Sequence, residues 1–106
     1  MLMTTQDELA NYEITETLGL VKGNAVRARH VGKDIMASFR QIVGGEVHEY
    51  IKMMAESREQ ALDRMTAEAQ AQGADGIVCM RFMTASVMQG VAELLAYGTA
   101  VKLRKK

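Results

Sequence analysis

"VAELLAYGTAVKL", residues 91–103, decides how the chain must be built. Val91, Leu95, Tyr97, Val101 and Leu103 share one parity, and Ala92, Leu94, Ala96 and Ala100 share the other. Extended backbone sends alternate side chains to opposite faces, so the stretch reads as a strand with two apolar faces. A sheet in a two-layer domain normally turns a polar face to water. A chain of 106 residues has no room for a second helical layer. The simplest cover is another copy of the chain, lying on that face or continuing the sheet at its edge, and self-assembly is expected.

The preceding strand has the same character. "IVCMRFMT", residues 77–84, is apolar on both parities, and "ASVMQG" reads as the connection to residue 91. Upstream, Glu46 to Gln72 repeats at helical spacing. Val47, Tyr50, Ile51, Met54, Ala61, Leu62, Met65 and Ala69 form one stripe, with Lys52, Glu56, Glu59, Gln60 and Asp63 opposite. Gly73 is the C-terminal cap and "ADG" the turn out. Before it, "GKDIMASFRQIVGG" predicts a short helix, with Asp34 as N-cap and Ile35, Phe39, Ile42 and Val43 on one side. At the start, "YEITETLGLV" alternates, with Tyr12, Ile14, Leu18 and Leu20 as the buried set. Gly23-Asn24 then suits a tight turn into "AVRARHV", giving a hairpin. The expected class is α+β, in the order ββ-αα-ββ: an antiparallel sheet of two hairpins, with a short and a long helix on one face.

The totals narrow the function. One domain over residues 1–106 fits the length. Hydrophobic residues make up 48% and charged residues 25%, ordinary for a soluble globular chain. Thirteen basic residues balance thirteen acidic ones, so no overall field draws the chain to nucleic acid or a membrane. "KLRKK" at the end reads as a solvated tail. Cys79 is the single cysteine, which rules out an intrachain disulfide and a Cys-rich zinc site within one chain. No signal peptide or membrane span is legible, and a reducing cytoplasm is the expected location.

"LGLVKGNAV", "GGE" followed by Tyr50, "SREQALDRM", "GADGIVCMRF" and above all "AYGTAV" resemble the YbjQ-like family across nearly the whole chain. The resemblance implies a dodecin-subunit-like α+β unit and a ring-shaped homopentamer whose sheets join into a central barrel. It also brings a family label of heavy-metal binding, without catalytic residues to carry over. The positions that match are Gly19, Gly23, Gly44, Gly45, Glu46, Tyr50, Arg58, Ala61, Gly73, Ala74, Asp75, Tyr97, Gly98 and Thr99.

Several side chains could carry chemistry. "GGEVHEY", residues 44–50, offers Glu46, His48 and Glu49 as metal ligands. On a helix, residues two apart diverge, so Glu46 and His48 chelate one ion poorly. Glu46 and Glu49 have the spacing for it, yet two carboxylates in a first turn also complement the helix dipole. Cys79 with Met80 or Met83 would suit a soft metal, though Cys79 mid-strand equally reads as a small buried hydrophobe. His30 and His48 could meet only through the fold. Arg58 and Glu93 each interrupt an apolar pattern. They could pair with each other, within a chain or across a subunit boundary, or Arg58 could reach solvent past the helix flank. Tyr97 and Thr99 share a parity and could line the interior of a ring. The candidate ligand or interface residues are thus Glu46, Tyr50, Arg58, Glu93, Tyr97 and Thr99, and the metal candidates are Glu46, His48, Glu49 and Cys79. No catalytic triad, dinucleotide fingerprint or phosphate loop is present. The leading reading is a non-enzymatic homo-oligomer that binds a metal ion or small ligand. A structural or adaptor ring is the second, and an enzyme with sites between subunits the third.

Overall fold

Gly23-Asn24 does not turn the chain. Tyr12–Ala28 is one continuous 17-residue strand, β2, and the expected first hairpin is replaced by it. Gly23 serves a different purpose: a Cβ there would run into the Ala61 carbonyl oxygen, the Met65 amide nitrogen and Arg64 Cβ. The helix backbone rests on the strand at this glycine, a close approach that any side chain would block.

The computed structural model describes residues 1–28, 45–88 and 91–106, with side chains except at 27–28, 45–50 and 87–88. Its elements are β1 (Leu2–Met3), β2 (Tyr12–Ala28), α1 (Gly45–Ala71), β3 (Gly76–Met88) and β4 (Val91–Lys105). The expected short helix over Asp34–Val43 lies outside the described residues, as does His30. One sheet of four strands runs β1-β3-β4-β2. The β3–β4 hairpin is antiparallel as expected, and its ladder continues to Met88↔Val91, shortening the foreseen connection. β2 pairs with β4 antiparallel. β1 adds to β3 in parallel, so the sheet is mixed and not purely antiparallel.

The register explains which side of β2 is buried. Shifts between Ile14 and Glu16, and between Thr17 and Gly19, each insert one residue against β4. Every such bulge moves the following side chains to the other face. Ile14, Thr17 and Leu20 therefore share a side, while Gly19, Val21, Gly23 and Ala25 face the helix. Val21 and Ala25 are buried, whereas Leu20 is 64% exposed. The alternating set foreseen for this strand is thus overturned by two bulges invisible in the hydrophobic pattern.

The helix starts and stops where its sequence directs. Gly73 has φ +79, and its amide donates to the Gln70 carbonyl while that of Ala74 donates to Ala69. This double bond around a left-handed glycine caps the last turn. The buried stripe is Ser57, Ala61, Met65 and Ala69, four residues apart. Small residues at three of these positions let the helix sit close. The Ser57 hydroxyl donates to the Met53 carbonyl at 2.9 Å. α1 packs over β2 and β4, and the core joins Ala61, Met65 and Ala69 to Val21, Ile77, Met80, Ala96 and Ala100.

Candidate functional site

Two features of the sheet stay open. The first is its edges. The N-terminal segment lines β3 only as far as Met80: Thr4 donates to the Ile77 carbonyl, Met80 to Thr4, and Cys79 to Gln6. Among the described residues nothing pairs with the outer edge of β3 beyond Met80, or with the outer edge of β2. The distal half of β3 also lies beyond the cover of α1. Phe82 is 42% and Met83 56% exposed, on opposite faces of the strand.

The second is the sheet face turned away from α1. Directly opposed residues of antiparallel strands point to the same side. Four rows cross this face: Leu20–Thr99–Val78, Lys22–Tyr97–Arg81, Asn24–Leu95–Met83 and Val26–Glu93–Ala85. Thr99, Tyr97, Leu95 and Glu93 are half-buried, between exposed neighbours on β2 and, from Arg81 onward, on β3. Tyr97 and Thr99, which share a parity, stand on this surface, and Glu93 lies on it as well.

Other candidates are dispersed. Arg58 is exposed on the solvent side of α1, because the buried stripe runs through its neighbour Ser57. The apolar stripe expected to enclose it is narrower than its spacing implies; Ile51 is 55% exposed as well. No ion pair joins Arg58 to Glu93 among the described residues, and the sheet separates the two. Glu46, His48, Glu49 and Tyr50 belong to the first turns of α1, and their side chains are outside the described set.

Cys79 is half-buried, not enclosed as a core residue. It sits in the irregularity between Val78 and Arg81 with φ +56, where the strand gains a residue against β4. Sequence reasoning missed this bulge. Gly98, opposite it, is the signal that could have found it. A Cβ on Gly98 would lie 2.7 Å from Ile77 Cγ2 and 3.1 Å from the Val78 carbonyl oxygen. The glycine admits the neighbouring strand, not a ligand.

Electrostatics on the sheet are simple. Arg104 Nη2 donates to Glu13 Oε2 at 2.6 Å, across directly opposed positions of β4 and β2. That hydrogen bond, and then the attraction between the two opposite charges, hold the Glu13 carboxyl below its usual range and raise the Arg104 guanidinium. Arg81 Nη1 donates to the carbonyls of Thr5, at 2.6 Å, and Met80, at 2.9 Å, which fixes the N-terminal segment to β3.

A small α+β unit with one described helix on a mixed four-stranded sheet is the class these elements define. A solved structure of a DUF74-family protein of unknown function from Pediococcus pentosaceus shares this fold, at TM-score 0.67 and 18% identity over 98% of both chains. A family model described as "Putative heavy-metal-binding" matches residues 1–104. A UPF0145 protein of Photobacterium profundum is 57% identical over 97% of this chain and 100% of its own. Another, from Methanococcus vannielii, is 57% identical over 99% and 100% respectively. The chain belongs to this YbjQ-like, or UPF0145, family, which spans bacteria and archaea.

The family's metal label can be set against the donors. Among the described residues no three His, Cys, Asp or Glu side chains group closely enough to hold an ion. Cys79, the one thiol, stands beside backbone of the N-terminal segment. Glu46, His48 and Glu49, three of the four metal candidates, have side chains outside the described set. No described helix is long and apolar enough to cross a membrane.

Proposed function

We propose that the chain works as a cytoplasmic, non-enzymatic homo-oligomer: a ring that binds a small ligand on its open sheet face. The observation that carries this reading is the pair of unlike open edges on opposite sides of one sheet, β2 at one and distal β3 at the other. Unlike edges pair head to tail, and head-to-tail contacts close into a ring when the rotation allows. Closure removes both edges, which are otherwise templates for aggregation. It would also cover Met83 and Val26, exposed at 56% and 52% near those edges. We place the helix, about 10 Å wide, on the outside of such a barrel. The face with Tyr97, Thr99 and Glu93 then lines the bore. Five copies is the number the family resemblance implies.

Light scattering on purified protein tests this. The expected mass is a fixed multiple of the 11.7 kDa chain at micromolar concentration. Placing lysines at the open edge, Phe82→Lys with Met83→Lys, should release monomers. A wild-type monomer would overturn the proposal.

A further inference from the structure

We propose that the row Lys22–Tyr97–Arg81 is a binding site for the phosphate or carboxylate group of a small molecule. The site deepens the ligand-binding reading above, but it lies within one chain and does not need the ring. Lys22 and Arg81 directly oppose Tyr97 from either side, on β2 and β3. Opposed side chains stand about 5 Å apart at Cβ, so the stems of two cationic side chains flank one phenol ring on the same face, with the Arg81 head drawn toward Thr5 at the outer edge of β3. Lys22 and Arg81 are exposed and Tyr97 is half-buried, giving a firm floor between mobile and anchored charges.

Among the described residues neither charge meets a carboxylate. Lys22 has no ion pair among the described residues, and Arg81 bonds only carbonyls. Those carbonyls take Nη1 alone, so the fork is held in place with Nε and Nη2 left to bond an oxyanion. Among the described residues of the four rows, the one carboxylate is Glu93, two rows on. Four residues of strand put it about 13 Å from Tyr97, past the distance at which salt screens exposed charges. The chain is neutral in total, yet this surface carries two cations around a hydroxyl donor. Such a set selects an oxyanion and repels a metal cation. Ring closure would repeat it around the bore.

The test is calorimetric titration of the native protein at constant ionic strength, with inorganic phosphate in one arm and succinate in the other. Mass is followed by light scattering in parallel, so loss of binding and loss of assembly are read separately. Saturable uptake of either anion is expected below about 10 mM, and the arm that binds tighter identifies the group. Lys22→Gln should weaken it about tenfold at unchanged mass and circular dichroism, while Lys22→Arg retains it. Absence of uptake in both arms would overturn the site, as would equal uptake by Lys22→Gln.

Discussion

Gly23 and Ala61 meet backbone to backbone, the strand glycine lying directly under the helix carbonyl. The contact fixes the distance between the two layers, because nothing but hydrogen fits between them. Gly23→Ala must push α1 away or bend β2, and overpacking of this kind costs about 1–3 kcal/mol. Arg64 would move with the helix and lose its bond to the Asn24 carbonyl, 2.5 Å long. Urea denaturation should therefore show Gly23→Ala clearly less stable than wild type. An unchanged midpoint would mean that the layers are not in contact here.

Cys79 occupies a left-handed conformation, φ +56, in the bulge of β3. That conformation costs an L-residue roughly 1–2 kcal/mol, while glycine adopts it freely at an entropic cost of about 0.5–1 kcal/mol. Cys79→Gly should match or slightly exceed the wild-type stability. Cys79→Val, β-branched, should fall below both. Equal midpoints for the Gly and Val variants would place Cys79 in ordinary extended backbone.

These two sites also show what the sequence discloses and what it hides. The long helix, its Gly73 cap and the β3–β4 hairpin are legible because each rests on local periodicity and capping chemistry. The two-sided apolar character of residues 91–103 correctly announces an uncovered face: Leu95 and Tyr97 stand there half-buried. Gly23 was misread because a turn and a close helix contact call for the same residue, and only the distant Ala61 distinguishes them. Bulges at residues 14–19 and 78–81 escape notice because a one-residue insertion depends on the partner strand. Arg58 looked enclosed because its neighbours Met54 and Leu62 are apolar, yet the small residues Ser57 and Ala61 bear the contact. Lys22 and Arg81, 59 positions apart in the chain, join one row only through β4.

Arg104 and Glu13 give a pH prediction. The pair depresses the Glu13 carboxyl, first through the hydrogen bond and then through charge. A depressed folded-state pKa means that the pair's contribution is present above the unfolded value and is lost as pH falls through the folded one. The effect belongs to the acid side of the ordinary carboxylate range, and nothing should change around neutrality. Both side chains are well exposed, so the contribution to stability is small and screened by salt. Carboxyl NMR titration should find Glu13 below the ordinary carboxylate range, and Arg104→Gln should restore it. A Glu13 curve indifferent to Arg104→Gln would show that the bond does not persist in solution.

Arg58 and Glu93 lie on opposite sides of the sheet, one on the solvent face of α1 and the other in the row Val26–Glu93–Ala85. No rotamer of either reaches the other through β4. Arg58→Met should cost no more than the 0–1 kcal/mol of an exposed charge. Glu93→Gln keeps the shape and hydrogen-bonding capacity of a half-buried side chain, and its cost should also be modest. A double-mutant cycle separates the possibilities because it removes each residue's private effects. Within one chain the two changes should add to within about 0.5 kcal/mol. Coupling beyond that has two structural sources: contact within the chain that the sheet fails to block, or a second copy that carries its Arg58 to this chain's Glu93. The cycle is therefore read together with oligomer mass. Additive stabilities at constant mass are the expected result. Coupling at constant mass would show that the sheet does not separate the two residues, and coupling with dissociation would place the pair between copies and put the helix inside the assembly's contacts.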